Sequence, residues 1–130
     1  MKTPLLTAFD EENLRTLVYR FYERVREDAL LGPVFERAIG SEDASWEPHL
    51  QTMTDFWHTV MLHKVAYKGN PVVRHMAVDG IEPQHFARWM ELFEEVAVEL
   101  YEEPASTYIV GRAQNMRRHL TRNLFGESAA

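Results

Sequence analysis

Leu14, Leu17, Val18, Phe21, Tyr22 and Val25 stand at i, i+3, i+4, i+7, i+8 and i+11, a spacing that only an α-helix can gather onto one face. The same period returns in Leu50, Met53, Phe56, Trp57, Val60 and Met61, with His49 at the beginning of that face. It returns again in Phe86, Trp89, Met90, Phe93, Val96, Ala97 and Leu100, and last in Ile109, Ala113, Met116 and Leu120. No stretch shows the strict alternation of a half-buried strand. The chain is therefore expected to be all-α, with four long helices and short connecting pieces.

The breakers set the expected boundaries. Thr7 or Asp10 can cap the first helix, and Gly32 and Pro33 in "LLGPVF" interrupt it before a short apolar turn through Phe35 and Ile39. The polar stretch "GSEDAS" ends in a cap at Ser45, which puts Pro48 in the first turn of the second helix, where a missing N–H does no harm. Pro104 closes the third long helix, and the last runs from about Ser106 to Phe125 with its arginines outward. At 130 residues the chain is expected to be one domain spanning 1–130, with loose tails at about 1–9 and 126–130.

Composition removes several function classes. A net charge of -6 gives no general attraction to phosphate backbones or anionic membranes, so nucleic acid and membrane are not expected partners. Without cysteine there is no disulfide, thiolate nucleophile, zinc-thiolate site, iron–sulfur cluster or covalently attached haem. The N-terminal stretch is too weak for a secretory signal and no run suits a membrane span, which makes a soluble cytoplasmic protein the expectation. The six histidines do not form a familiar metal pattern: no two stand four apart, and Glu82 to His85, the one Glu-x-x-His, runs through Pro83 at a helix start.

What remains is the segment "GNPVVRHMAVDGI", which places His75 on a short apolar element between Pro71 and Gly80. Tyr22, His49 and Trp89 add three polar-tipped groups on or beside the apolar faces of three other helices. Buried hydrogen-bonding tips need partners, either separate ones or one in common. A flat apolar cofactor whose iron is ligated by His75, with a small polar ligand opposite, would use all four. Ordinary core packing accounts equally for Phe56, Phe86 and Phe93, and a hydrogen-bonded structural histidine for His75.

The set "FYERVREDALLGPVFERAIG", "WEPHL", "FW", "AYKGNPVVRH" and "PQHFARWMELFEE", in that order, resembles the truncated haemoglobins, and among them the third group. The resemblance runs from about Leu14 to Phe125, and the absence of any Gly-Gly pair agrees with the third group rather than the first two. It implies a two-over-two helical sandwich around non-covalent haem b, with His75 as the iron ligand. It further implies Tyr22 as the main distal hydrogen-bond donor, Trp89 as a second, and His49 as a distal histidine that swings between pocket and solvent. Met53 would line the pocket, Phe21 would pack beside the haem, and Phe35, Ile39, Phe56 and Trp57 would add apolar contacts. Tyr67, Lys68 and Arg74 are the candidates for the haem propionates.

The function so implied is binding of oxygen, carbon monoxide or nitric oxide by a monomer, in oxygen or nitric oxide chemistry rather than oxygen transport. A nitric oxide dioxygenase or peroxidase-like activity would need an electron donor that these residues do not identify. Two other readings use the same residues: a reversible gas sensor or carrier without turnover, and a cofactor-free helical interaction module.

Overall fold

The structure is a computed structural model that describes residues 5–64 and 80–126. Those residues form five helices, α1 (Glu11–Glu27), α2 (Leu31–Ile39), α3 (Asp43–Leu62), α4 (Pro83–Leu100) and α5 (Ala105–Phe125). The all-α expectation holds, and the only extended pairing among the described residues is an isolated bridge between Leu6 and Tyr101.

α1 begins where Asp10 and Asn13 close a capping box: the Asn13 amide donates to the Asp10 carboxylate at 2.7 Å, and the Asp10 amide donates to the Asn13 side chain at 3.1 Å. Asn13 also accepts the Tyr101 hydroxyl at 2.7 Å and donates to the Ala8 carbonyl at 2.9 Å, so one buried amide joins the start of α1 to the end of α4. Residues 5–9, expected to belong to a loose tail, are held at Leu6 by two backbone hydrogen bonds to the chain around Tyr101, and Phe9 packs on the Tyr101 ring at 4.9 Å.

Two helix starts differ from the sequence reading, and a third gains an explanation. The expected turn through Phe35 and Ile39 is a helix, because Pro33 is its third residue and needs no intrahelical donor there. Asp28 supplies the cap from three residues back: its carboxylate accepts the amides of Leu30 at 3.1 Å and Leu31 at 3.0 Å, together with Arg88 Nε of α4 at 2.8 Å. Gly32 follows because a Cβ there would lie 2.9 Å from the Arg26 carbonyl oxygen. The start of α3 lies at Asp43 rather than after Ser45, since Glu42 takes the extended backbone of an N-cap. Pro48 is then the sixth residue of α3, beyond the first turn, and the Ala44 carbonyl loses its usual helical donor. At α4, Glu82 and His85 turn out to be a capping box in which His85 Nδ1 accepts the Glu82 amide at 2.9 Å. This is what the Glu-x-x-His spacing does.

α1 packs against α2, α3 and α4, and α4 packs in turn against α5. Leu14, Leu17, Val18, Phe21 and Val25 of α1 meet Phe93, Val96 and Ala97 of α4 in the core, with Ile109 and Ala113 of α5 behind them. The expected inward faces of α1, α4 and α5 are the observed ones, Met116 and Leu100 being only partly buried and Leu92 buried in addition; on α3 the core covers Trp46, Thr54 and Trp57, and the rest of the expected face, Leu50, Met53, Phe56, Val60 and Met61, is only partly buried.

Burial would raise the Asp28 carboxyl, but the Leu31 amide, Arg88 and the Leu30 amide outweigh it and hold the group below the ordinary carboxylate range. A depressed folded pKa contributes stability that is present above the unfolded value and is lost as pH falls through the folded one. Asp28→Asn should therefore be less stable than the native chain by ~1–3 kcal/mol at neutral pH. In denaturant unfolding at a series of pH values, the gap between the two proteins should close as pH drops below about 4. A gap of constant size would show that the carboxylate charge is not what holds the corner.

Candidate functional site

Four helices bring their aromatic residues to one place. Tyr22 follows the core residue Phe21 on α1, and the two rings meet edge to face at 4.8 Å. Phe21 in turn sets its edge against Trp89 of α4 at 5.1 Å, and Trp89 lies stacked on Phe93 at 5.4 Å with only 13° between the planes. Phe93 continues the pile to Trp57 of α3 at 5.1 Å. Around the Tyr22 ring stand Phe35 of α2 at 5.9 Å and, from α3, His49 at 4.9 Å and Trp46 at 6.1 Å. These rings fix the directions of three polar tips: the Tyr22 hydroxyl, the Trp89 indole N–H and the His49 imidazole.

The electrostatics of Tyr22 follow from where α1 puts it. Burial in this aromatic surrounding pushes the phenol up to about 12, against which a hydrogen bond with Trp89 works in the opposite direction. The hydroxyl therefore keeps its proton throughout the physiological range and is available as a donor. His49 Nε2 is itself out of contact with bulk solvent, so that tip of the partly buried residue faces inward.

Next to these tips, α3 carries a second feature. His49, Met53, Phe56 and Val60 fall at i, i+4, i+7 and i+11, on one stripe, and every one of them is only partly buried. Phe35 and Ile39 of α2 are partly buried as well. The residues of α3 that the core does cover are Trp46, Thr54 and Trp57. The arrangement is a surface of apolar side chains from α2 and α3, with polar tips from α1, α3 and α4 at one end.

The residues singled out from the sequence are divided by this geometry. Tyr22, His49 and Trp89 come together, and Met53, Phe35, Ile39 and Phe56 line the partly covered surface. Phe21 and Trp57 are each 2% exposed and stand behind that surface, where they support Tyr22, Trp89 and Phe93 rather than offering a face of their own. His75, Tyr67, Lys68 and Arg74 lie outside the described residues. Among the described residues no group of three or more histidine or acidic side chains could hold a metal ion, and no helix is long and apolar enough to cross a membrane.

Two participants are not among those expected at the site from the sequence, which places Val60 only on a helical face. Val60 completes the partly covered stripe at one further helical turn beyond Phe56. Trp46 stands 5.5 Å from His49 and 6.0 Å from Phe35, and its indole N–H donates to the Gly40 carbonyl at 2.9 Å. Its position three residues before His49 was the available signal, since residues so spaced share a helix face.

No protein-family model matches the chain. The chain is, however, 34% identical over 118 residues to a group 3 truncated haemoglobin of Campylobacter jejuni, covering 91% of this chain and 93% of that protein. The crystal structure of the group III truncated haemoglobin from Campylobacter jejuni shares the fold with a TM-score of 0.90 at 32% identity, over 94% of this chain and 96% of the other. With that level of identity along nearly the whole length, and with the fold in common, the chain belongs to the group 3 truncated haemoglobins.

Proposed function

We propose that the chain, as one domain over residues 1–130, holds haem b against the partly covered face of α2 and α3 and uses Tyr22, Trp89 and His49 to control small diatomic ligands. The observation that carries the reading is the convergence of three polar tips from three helices at the end of an apolar surface. Residues of this kind fit a flat apolar group with a polar reaction side. Phe35, Ile39, Met53, Phe56 and Val60 supply apolar side chains with area still to cover, and Tyr22 supplies a proton held in place by burial. When bound, the haem would supply an iron able to take up oxygen, carbon monoxide or nitric oxide.

His75 is the ligand we assign to the iron, on the family motif in which a histidine follows Gly-x-Pro; Tyr67, Lys68 and Arg74 are assigned to the propionates on the same ground. Replacing His75 by alanine should leave the purified protein with little haem and a lowered melting temperature, because a group that binds only the folded chain stabilises it. Full haem content and an unchanged absorption spectrum in His75→Ala would transfer the role to another residue. The wild-type spectrum tests the whole proposal, since a colourless protein that takes up no haem would leave a cofactor-free helical module in its place.

The work of this chain's own residues lies on the distal side. Tyr22 and Trp89 donate toward a ligand that carries partial negative charge, and a charge-assisted hydrogen bond contributes ~1.5–3 kcal/mol. Such donors favour oxygen over carbon monoxide and slow its escape, which suits a protein that reacts with its ligand better than one that delivers it. We therefore favour oxygen or nitric oxide chemistry, by a cytoplasmic monomer served by a separate electron donor, over transport or sensing.

Tyr22→Phe keeps the ring and its packing and removes only the donor. Oxygen dissociation measured by stopped flow should become roughly ten to a hundred times faster, with carbon monoxide dissociation changing much less. Should Trp89 compensate, the double variant with Trp89→Phe will show the larger change; an unaltered oxygen rate in both would return Tyr22 to the core.

His49 is assigned to ligand entry. Its imidazole packs edge to face on both Tyr22 and Trp46, and we place it on the path that an entering ligand takes. His49→Leu should alter carbon monoxide association by several-fold while haem content stays at the wild-type level. Equal association rates would remove the gate from the proposal and leave the Tyr22 donor standing.

A further inference from the structure

His49 stands in a notch with three aromatic walls. Tyr22 faces it at 4.9 Å and 87°, Phe35 at 6.3 Å and 64°, and Trp46, one turn earlier on α3, at 5.5 Å and 87°. Tyr22 belongs to the core face of α1, and Phe35 to the short helix fixed by Asp28. Trp46 is placed differently. Its chain neighbours from Ser41 to Ser45, and Glu47 and Pro48 after it, are exposed, yet Trp46 itself is only 2% exposed.

Arg26 makes the difference. Its guanidinium lies over the Trp46 ring, 4.9 Å from the centroid, and is fixed there by the Asp43 carboxylate at 2.9 Å and the Ser41 carbonyl at 3.0 Å. The indole N–H is engaged at the same time by the Gly40 carbonyl at 2.9 Å, and Phe35 lies nearly parallel to the indole at 27°. A tryptophan that merely fills space needs shape and one partner for its N–H. This one is fixed by an in-plane hydrogen bond, by a cation across its ring and by a stacked neighbour, while its remaining ring contacts are His49 and Tyr22.

We propose that Trp46 is the residue that positions His49, keeping the imidazole turned inward against Tyr22, and that Arg26 is the latch that keeps Trp46 there. The inference deepens the reading of His49 as a gate and rests on it. An edge-to-face ring contact shifts a rotamer equilibrium about two- to tenfold, and a cation over an exposed aromatic ring shifts it about two- to fivefold. Arg26 is partly exposed and the loop it grips is at the surface, so the latch can be disturbed from outside without touching the distal donors.

The test compares the haem-loaded wild-type protein with Trp46→Leu, Trp46→Phe and Arg26→Met, each also made with His49→Leu. Two quantities are read: the carbon monoxide association rate, and the inward or outward setting of His49 in crystal structures of the ligand-free protein. Trp46→Leu and Arg26→Met should turn His49 outward and raise the association rate, Arg26→Met by about two- to fivefold. Trp46→Phe retains a ring beneath the guanidinium and should remain near wild type. With His49→Leu present, neither Trp46→Leu nor Arg26→Met should change the rate further.

A rate increase that persists in the His49→Leu proteins would overturn the proposal, since Trp46 would then be shaping the pocket and not positioning the imidazole. So would a His49 that stays inward in Trp46→Leu. A different result separates the underlying reading from the inference: if His49 turns outward in Trp46→Leu but neither that change nor His49→Leu affects association, the gate fails while the positioning role of Trp46 stands.

Discussion

Much of this molecule depends on what it costs to hold the Tyr22 hydroxyl among aromatic rings. Burying a phenol costs several kcal/mol of hydration, which the hydrogen bond with Trp89 partly offsets, and the ring cannot turn away because Phe21, Phe35, Trp46 and His49 surround it. Nothing local to α1 requires a hydroxyl there. Phenylalanine would satisfy the same apolar face, as it does one residue earlier. The polar atom is tolerated because α1 is fixed independently, by the capping box at Asp10 and by five core residues from Leu14 to Val25. The helix can thus carry one unfavourable group to a chosen place without losing its register, and the phenol pushed up to about 12 is the electrostatic sign of that burden.

The corner between α1 and α2 serves the same end by a different interaction. Asp28 collects two backbone amides and Arg88 on one carboxylate, which ties the end of α1, the start of α2 and the outer face of α4 together. α2 is only nine residues long, and a helix so short has little stability of its own. Its direction is set by Asp28 and by the close approach of Gly32 to the α1 carbonyls. Phe35 reaches Tyr22 and Trp46 as a consequence, so a polar contact on the outside of the fold determines an aromatic contact on the inside.

How far the sequence could be read depended on the range of the interaction involved. Helical faces were legible because the 3.6-residue period records burial directly: Leu17, Phe21 and Val25, or Phe93 and Ala97, could hardly point elsewhere. The polar tips Tyr22, His49 and Trp89 could be named since each breaks an otherwise apolar pattern. Helix starts were less legible. Asp28 caps α2 across three residues, and Glu42 rather than Ser45 opens α3, because side-chain chemistry within a loop does not reveal which backbone turns first. Phe21 and Trp57, expected to pack beside the haem and to add apolar contacts, are almost fully covered, whereas Phe56, next to Trp57, is only partly buried, a distinction of about 100° around a helix that periodicity cannot resolve when both sides are apolar. Trp46 was passed over for a related reason: its importance lies in Arg26, twenty residues away in sequence and on another helix.

Pro48 bears on how His49 can move at all. Lying past the first turn of α3, it fixes its own φ near -65° and deprives the Ala44 carbonyl of a helical donor. This makes the backbone immediately before His49 stiff in one torsion while the turn beneath it holds one hydrogen bond fewer. A change in the imidazole's direction by bending of α3 would have to work against the proline ring and against Arg26, which grips Asp43 and Ser41 at the same end. Rotation about the side-chain bonds of His49 meets neither obstacle. Movement at this site is therefore a matter of rotamers within a fixed helix, and the ring walls rather than the backbone decide which rotamer is held.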